Sequence, residues 1–567
     1  MSAASLLSDA VRLHQSGQLA AAAESYARVL AEAPLHPDAL HLLGVVRAQG
    51  GDAGEAVALI AQAAALNPAS AVYRGNLVKA ARGDGAAVGP GLLRAGDALF
   101  DAGAPELAAR CYRAAVAARP DDALAWGNLA AALRDAGRPE EALAPMGRAA
   151  ALAPGDRRIA SLLGGLRFAA GDMAGAEAIF RALAAGNPGE AAARTALADA
   201  VKGQGRFAEA MDHYRRALTL APADATAHFN LAVTASDVAL LEPSIAGFRR
   251  VAALKPGHAD ARFSLSCQLL AAGRWEEGWR EFEWRLRRDY RVPDRGRPLW
   301  TGEPLEGHRI LLYAEQGHGD GIQFIRYAPL VAARGGRVLV ECPAPLRTLF
   351  ATVEGVESVH ALDDVPDFDL VCPLMSLPLV LGTVAETLPA RVPYVQADPA
   401  RAAFWRREMG EGDGLRVGIV WAGNPRFRAD HLRSPGLPAL MPVLDVPGVR
   451  VFGLQVGEGR RDLDRVTLPD GFIDLGDRVA DFADTAAVMA NLDLVIASCT
   501  ASAHLAGALG LPVWLLLAYA PDWRWMLERE DSPWYPTARL FRQRRYGDWA
   551  EVAARVAEEL RRFKTSD

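Results

Sequence analysis

Three segments in the second half of the chain place glycine, carboxylate, arginine and histidine side chains where they could take part in group transfer. The first segment, AEQGHGDG, contains Gly319 and Asp320 between further glycines. Glycine lets the backbone approach a ligand closely, and a carboxylate here could act as a general base on a hydroxyl group. Asp is also a common helix N-cap, so a capping role for Asp320 is the alternative.

The second segment, GNPRFRADHLRS, is rich in arginine. Guanidinium groups bind phosphate oxygens with paired hydrogen bonds, so this loop is a candidate site for a diphosphate. A solvated basic loop is the alternative. The candidate ligand-binding residues are Asn424, Arg428 and Arg433 in this loop, with Gln455 at the end of the next apolar run.

The third segment, DLVIASCTASAHLAGALG, places Thr500 and Ala501 at the predicted start of a helix and His504 in its first turn. Backbone N–H groups at a helix start have no partner within the helix, and the helix dipole favours negative charge there. This position therefore suits phosphate oxygens. For His504, packing and ligand contact are both open.

The elements that must position these segments alternate in type. Short apolar runs such as RILLYA, RVLVEC and LRVGIV are separated by helical sequence, which predicts parallel strands with crossover helices. We predict two Rossmann-like halves, over residues 309–400 and 410–567. Ligands of such sheets bind at the carboxyl ends of the strands, where all three segments lie.

The first half of the chain repeats with a period of 34 residues. Three kinds of position keep this step: glycines from Gly103 to Gly205, large apolar residues from Tyr112 to Phe282, and prolines from Pro120 to Pro256. This period is typical of tetratricopeptide repeats, whose helical hairpins stack because one hairpin cannot bury its apolar face alone. We predict a repeat array over residues 1–290.

Two places interrupt this order. An 18-residue excess between Pro68 and Pro120 predicts a loop or a distorted repeat near residues 82–91. Residues 291–308, rich in proline and glycine, predict an ordered linker, in which Trp300 is expected to anchor the next domain. The concave surface of the array is expected to bind a peptide or protein, with Asn128 and Asn230 as candidate backbone contacts.

Bulk composition narrows the class of protein. The net charge of −6 and the even spread of charge argue against a nucleic-acid partner. The five scattered cysteines indicate neither a disulfide framework nor a metal site. No segment reads as a signal peptide or a membrane span, so we expect a cytoplasmic protein.

The motifs AEQGHGDGIQFIRY, FDLVCPLMSLPL, VGIVWAGNP, DFADTAA, AHLAGALGLPVW and APDWRW…DSPWYPTARLFRQ occur in the order found in one enzyme family. The chain resembles bacterial tetratricopeptide-repeat glycosyltransferases with a heptosyltransferase-like catalytic domain of the GT-B fold. It resembles protein O-GlcNAc transferases more distantly. The resemblance implies a nucleotide-sugar substrate, no cofactor and no metal.

The resemblance also implies roles for individual residues. Asp320 would activate the acceptor hydroxyl, Arg428 and Arg433 would hold the donor phosphate, and Thr500 and His504 would line the donor site. Two positions depart from the family pattern: Cys499 stands where an Asp is usual, and Arg428 stands where Lys is usual. These departures indicate a different donor or a weakened activity.

Three functions follow as hypotheses. The first is a glycosyltransferase that modifies a protein acceptor held by the repeats, with flagellin and a nonulosonic-acid donor as one specific case that the resemblance implies. The second is a non-catalytic scaffold in which the GT-B domain has degenerated, which the loss of Asp at position 499 favours. The third is a transferase acting on cell-envelope polysaccharide.

Overall fold

The computed structural model describes residues 3–83, 85–288, 296–362, 364–427 and 429–564. The chain divides into two compact units, Met1–Pro222 and Ala223–Asp567. Among the described helices, none is both long and apolar enough to cross a membrane.

Helical hairpins make up the first unit and begin the second. The helices of the first unit are α1 Ala3–Gln15, α2 Leu19–Glu32, α3 Pro37–Gln49, α4 Ala53–Leu66, α5 Ala71–Gly83, α6 Gly85–Asp101, α7 Pro105–Ala118, α8 Ala123–Asp135, α9 Pro139–Leu152, α10 Arg157–Ala169, α11 Met173–Gly186, α12 Ala191–Lys202 and α13 Phe207–Leu220. The second unit opens with α14 Ala225–Asp237, α15 Leu241–Leu254, α16 Ala259–Ala271 and α17 Trp275–Phe282.

The periodic glycines lie in the tight turns of the hairpins, as the sequence predicts. Gly137, between α8 and α9, has a φ of 77°, and Gly205, between α12 and α13, has a φ of 75°. Only glycine adopts this left-handed conformation without strain. At the next step of the period the residue is Ala239, and it keeps the turn with a φ of 58°.

The periodic large residues form the core of the array, and small residues opposite make room for them. Tyr112, Phe180 and Tyr214 are all buried. A Cβ atom added at Gly164 would lie 2.7 Å from the Phe180 ring, so the two helices of this hairpin approach closely because position 164 has no side chain. The predicted packing role of these residues is confirmed.

The excess of residues after Pro68 forms structure of its own. Helix α5 begins 34 residues after α3, and the next helix, α6, forms a hairpin with α7. Within the 82–91 segment, α6 begins at Gly85 and contains Pro90. Asp84 lies outside the described residues.

The α/β part of the second unit contains two parallel sheets. Its first lobe consists of β1 Arg309–Tyr313, α18 His318–Phe324, α19 Ala328–Ala332, β2 Arg337–Glu341, α20 Ala344–Phe350, β3 Val356–His360, β4 Leu370–Pro373 and α21 Leu377–Val380. The second lobe consists of α22 Pro399–Glu408, β5 Leu415–Val420, α23 Asp430–Arg433, α24 Met441–Leu444, β6 Val449–Gly453, β7 Ile473–Asp474, α25 Phe482–Met489, β8 Leu494–Ser498, α26 Ala501–Ala508, β9 Val513–Leu517, β10 Ala538–Arg542 and α27 Trp549–Lys564.

The strand order in the first sheet is β3-β2-β1-β4, and in the second it is β10-β9-β8-β5-β6-β7. All pairings between these strands are parallel, as the continuous apolar runs predict. The prediction identified β1, β2, β4, β5, β6, β8 and β9. It missed β3, β7 and β10, which lie at sheet edges or are very short.

The linker residues that the structure describes, 296–308, are ordered against the first sheet. The Trp300 backbone N–H donates to the carbonyl of Val371 at 2.9 Å, and the Trp300 side chain is fully buried. The predicted anchoring role of Trp300 is therefore confirmed. Residues 291–295 lie outside the described part of the chain.

The last hairpin, α16–α17, belongs to the core of the α/β part. Trp279 on α17 contacts Trp523 with ring centroids 5.4 Å apart, and its indole N–H donates to the Thr383 carbonyl at 3.0 Å. Beyond α17, the Arg285 guanidinium forms a buried ion pair with Glu315, at 2.6 Å between Nη2 and Oε1. The hairpin is thus fixed to the loop that follows β1.

Candidate functional site

Asp320 is the third residue of α18, the helix that follows the loop after β1. One carboxylate oxygen, Oδ2, accepts a hydrogen bond from the backbone N–H of Gly317 at 3.0 Å. Asp320 is therefore not the N-cap that the sequence offers as an alternative: Gly317 is the N-cap, and Asp320, at the third helical position, accepts a hydrogen bond from its N–H. The other oxygen, Oδ1, lies 2.5 Å from Nη2 of Arg524, a residue of the second lobe. Asp320 therefore faces the second lobe as well as binding the start of its own helix.

Arg524 is held from three directions. It lies in a 3₁₀ turn, Trp523–Trp525, and its side chain is 7% exposed. Besides Asp320, its guanidinium donates to Asp522 Oδ1 at 3.0 Å and to the side-chain oxygen of Gln323. Such a network keeps a buried cation charged and fixed in place.

Two opposing effects act on the Asp320 carboxyl. Burial raises its pKa above the ordinary value, and the nearby Arg524 cation opposes that rise. The side chain is still 22% exposed, so a small hydroxyl-bearing group can reach it. A carboxylate with a raised pKa is a better proton acceptor near neutral pH than an ordinary one.

The start of α26 lies directly against Gly319. A Cβ atom at position 319 would be 3.0 Å from Cδ2 of His504 and 3.3 Å from Cα of Ala501. The Thr500 side chain makes no capping bond to this helix, and its hydroxyl donates instead to the Ser498 carbonyl. The amino end of α26 is thus brought next to the Asp320 loop without a side-chain cap.

His504 is a neutral residue within this site. Burial, reinforced by the cations Arg524, Arg326 and Arg433, lowers its pKa well below the ordinary value. Its Nδ1 atom lies 2.9 Å from the hydroxyl of Tyr535, which is buried and stays protonated because its own pKa is raised.

The hydrogen bonds around Tyr535 indicate the His504 tautomer. The Tyr535 hydroxyl is 3.5 Å from that of Tyr394, which already donates to the Ile322 carbonyl at 3.0 Å. The shorter bond to His504 indicates that Tyr535 donates to Nδ1, which leaves the proton on Nε2. Nε2 is bonded to Cδ2, the ring atom nearest Gly319, so the imidazole can donate a hydrogen bond on the side of the Asp320 loop.

The arginine loop after β5 contributes one described cation to the site. Arg433 is anchored by Asp430, with 2.9 Å between Nε and Oδ1, and lies close enough to Asp320 and His504 to affect both pKa values. Asn424 is exposed and accepts a bond from the Arg426 backbone N–H at 3.0 Å, which shapes the loop. Arg428 lies outside the described residues.

Gln455 does not present free polar atoms. Its Oε1 accepts from the backbone N–H groups of Trp421 and Ala422, at 3.1 and 2.8 Å. Its Nε2 donates to the carbonyls of Ala422 and Val456, at 3.0 and 2.9 Å. The side chain is buried, and its hydrogen bonds hold the backbone of Trp421 and Ala422, which directly precede the arginine loop. Ligand contact by Gln455 stays a prediction.

Cys499 occupies the position where the resembled family has a carboxylate. Its sulfur accepts a hydrogen bond from the Trp525 indole N–H at 3.0 Å, and burial raises the pKa of the thiol to about 11. The Trp525 ring also stacks on His504, with centroids 5.5 Å apart. An aromatic ring and a neutral thiol thus replace an anionic group on this side of the site.

Several residues of the site were not singled out from the sequence. Arg524, Trp525 and Tyr535 come from the segments APDWRW and DSPWYP. Buried aromatic and charged residues close together in a short segment were the available signal, but nothing in it names their partners 200 residues away. In the described part of the chain, no cluster of three or more His, Cys, Asp or Glu side chains is arranged to hold a metal ion.

Comparison with known families identifies the repeats. Models of the tetratricopeptide repeat match residues 13–79, 93–157 and 132–191, and a TPR-repeat model matches residues 198–235. The helical hairpins are tetratricopeptide repeats. The matched ranges cover most of the first unit and reach into α14.

Among curated proteins, the chain is similar to Protein FlbA of Caulobacter vibrioides, with 32% identity over 334 residues. The match covers 53% of this chain, and the chain spans about half the length of that relative, 54%.

Solved structures match the tetratricopeptide repeats at low identity. The C-terminal part of a TPR repeat-containing protein from Cytophaga hutchinsonii matches 46% of this chain and 99% of its own, with 17% identity and a TM-score of 0.31. MamA from Desulfovibrio magneticus RS-1 matches 29% of this chain and 92% of its own, with 18% identity and a TM-score of 0.28. YrrB, described as a TPR protein with an unusual peptide-binding site, matches 33% of this chain and 95% of its own, with 19% identity and a TM-score of 0.27.

Proposed function

We propose that this protein is a glycosyltransferase of the GT-B type, which transfers a sugar from a nucleotide-sugar donor to a protein acceptor bound by the repeats. One observation carries the proposal. A carboxylate from one α/β lobe, Asp320, lies beside the amino end of α26 and the cations Arg524 and Arg433 of the other lobe. Glycosyl transfer needs a base for the attacking hydroxyl and positive charge for the departing phosphate.

The chemistry is divided between the two lobes. Asp320 accepts the proton of the acceptor hydroxyl while that oxygen bonds to the anomeric carbon of the sugar. The bond from this carbon to the donor phosphate breaks, and its electron pair leaves with the nucleotide. Arg433, Arg524 and the N–H groups at the start of α26 stabilise the negative charge that develops on the phosphate. The Nε2 proton of neutral His504 is available for a donor oxygen.

The acceptor is proposed to be a protein because the array precedes the site in the same chain. Tetratricopeptide-repeat superhelices bind polypeptides along their concave surface. Flagellin is the specific acceptor to test first. The Asn128 side chain donates to Asp97 of the neighbouring hairpin at 3.0 Å, and its contact with a peptide backbone stays a prediction.

Nucleotide binding is the first test. We expect one of UDP, GDP, ADP or CMP to raise the melting temperature of the full chain, because a ligand at about 100 times its Kd stabilises the folded state by about 2.7 kcal/mol. Arg433→Gln should abolish most of this shift. Arg562→Gln, which changes an exposed arginine of α27, is the matched control and should leave the shift unchanged.

Transfer is the second test. Mass spectrometry of secreted surface proteins should show a sugar mass in the parent strain that is absent from strains carrying a deletion or Asp320→Asn. A flagellin that keeps its sugar mass in the Asp320→Asn strain would contradict the assignment of the base. If the surface proteins carry no sugar in the parent strain and the deletion alters the envelope polysaccharide, the acceptor is the polysaccharide.

A non-catalytic binding module is the second candidate, and Cys499 favours it. The carboxylate of the resembled family is missing there, and the thiol is engaged by Trp525. This candidate predicts no thermal shift with any of the four nucleotides and no change in surface glycosylation on deletion. The repeats would then act by docking alone.

A further inference from the structure

We propose that Arg524 is a positioning residue that holds Asp320 while the donor is absent and exchanges it for a donor phosphate oxygen when the donor binds. Asp320 then becomes free to accept the proton of the acceptor hydroxyl only after the donor is in place. The inference rests on the proposed function and adds to it a coupling between the donor site and the base.

The hydrogen bonds of Arg524 allow such an exchange. Its Nη2 atom reaches Asp320, while Nη1 and Nε are held by Asp522 and Gln323. The guanidinium also lies over the Trp523 ring, 4.3 Å from its centroid. Arg524 can therefore lose Asp320 and still be held in place by three other groups.

The hydrogen bonds of Asp320 are divided in the same way. Oδ2 is bound to the Gly317 backbone N–H of the same helix start, and Oδ1 is bound to Arg524. When Arg524 leaves, Oδ1 becomes available to a hydroxyl group, and the bond to Gly317 keeps the carboxylate oriented. Loss of the arginine thus exposes the base without releasing it.

A phosphate at the start of α26 would compete for the same guanidinium. A Cβ atom added at Gly319, next to Asp320, would lie 3.0 Å from His504 and 3.3 Å from Ala501, so the start of α26 lies beside the Asp320 loop. The Nη2 atom of Arg524 is held at the same loop by Asp320. The two phosphates of a nucleoside-diphosphate donor would together carry more negative charge than one carboxylate and would offer the guanidinium more acceptor oxygens, so the donor would be favoured as the arginine's partner.

Because charged groups surround Asp320, the exchange should change the number of protons that the protein binds. Arg524 lies on the 3₁₀ turn and Asp522 directly precedes it, while Arg433 lies on α23, His504 on α26 and Glu315 on the loop after β1. His504 is neutral, and Arg524 is the main cation that opposes the effect of burial on the Asp320 carboxyl. Once Arg524 turns to the phosphate, the Asp320 pKa rises further, and the protein takes up protons as the nucleotide binds at pH values close to that pKa.

The test is calorimetric titration of the full chain with the nucleotide that gives a thermal shift, in two buffers of different ionisation enthalpy. We expect the wild-type protein to take up protons on binding and Asp320→Asn to take up fewer. We also expect Asp320→Asn to bind the nucleotide about tenfold more tightly, the scale of coupling between neighbouring charges, because no carboxylate then competes for Arg524.

Asp531→Asn is the matched control, since Asp531 pairs with Arg529 on the exposed surface of the second lobe, the lobe that contains Arg524. It should change neither affinity nor proton uptake. Equal affinity and equal uptake in the wild type and Asp320→Asn would overturn the exchange and leave nucleotide binding intact. Absence of binding by the wild type would overturn the proposed function, and the exchange with it.

Discussion

Replacing Arg285 with methionine should destabilise the second unit more than any change to a surface ion pair. The Arg285 side chain is 1% exposed and that of Glu315 is 0% exposed. Arg285 donates to Glu315 from both Nε and Nη2, to Glu283 at 2.6 Å and to Ser376 at 2.7 Å. Removing one partner leaves the other charge buried without compensation.

The expected loss is about 3–5 kcal/mol in the free energy of unfolding, as for other buried ion pairs that are broken on one side. Arg285→Met/Glu315→Gln should recover part of this loss, because it removes the stranded charge. Arg337→Met is the control, since Arg337 pairs with Glu357 at a similar distance on the exposed surface. There we expect no resolvable change, because solvent screens an exposed pair.

Urea unfolding followed by tryptophan fluorescence measures this effect selectively. Trp126 is the only one of the twelve tryptophans within residues 1–222, so the signal reports mainly on the second unit. In Arg285→Met the stability should rise as the pH falls, since burial raises the Glu315 pKa and the folded state then binds the proton more tightly than the unfolded state.

Two results would refute this reasoning. A loss below about 1 kcal/mol would mean that solvent reaches Glu315 in the variant and compensates its charge. An equal loss in Arg285→Met and in the double variant would mean that lost packing of the arginine side chain, and not the stranded carboxylate, causes the effect.

Three further predictions concern single positions. Ala239→Gly should stabilise the second unit by up to about 1 kcal/mol, because a left-handed conformation costs an L-residue about 1–2 kcal/mol. Gly205→Ala should have the opposite effect on the first unit, and thermal melts of both variants check this. In α10, Gly164→Ala should destabilise the array, because the new Cβ would lie 2.7 Å from an aromatic ring. At the next position, Gly165→Ala meets nothing within 4 Å and should stabilise the array by about 0.5–1 kcal/mol. Circular dichroism melts in which both variants shift the melting temperature in the same direction would contradict this. Cys499 should react slowly with iodoacetamide at pH 8, faster as the pH approaches 11, and rapidly in urea. Peptide mass spectrometry can follow the labelling, and rapid labelling of the native protein at pH 8 would show that the thiol is not buried.

The repeat array could be predicted closely because its rules are local. The residues that define a hairpin, such as Gly137 in its turn and Met146 in its core, contact neighbours within one or two periods of the sequence. A regular period therefore shows the structure directly. Even so, the excess after Pro68 was predicted only as a loop or a distorted repeat, because an interruption that occurs once produces no repeated signal.

The α/β part shows where such prediction ends. Strands buried on both faces, such as β1 and β8, have continuous apolar runs that are easy to recognise. Asp320 and His504 follow strands of different sheets, β1 and β8, and both come after the carboxyl ends of those strands, where the sequence predicts ligand binding. The partner of Asp320 could not be predicted, because Arg524 is 204 residues away and only the tertiary fold selects it.

The attachment of α16–α17 to the α/β lobes limits where the chain can be truncated and where repeats can be inserted or lost. An α/β fragment cut at the predicted linker would lose Trp279 and Arg285, expose their aromatic neighbours and leave Glu315 without its cation. The terminal hairpin is therefore a fixed component of the second unit, although its sequence is that of a repeat. Insertion or loss of whole 34-residue periods should be tolerated only on the amino-terminal side of that hairpin, so the reach of the array can vary while the geometry at Asp320 stays constant.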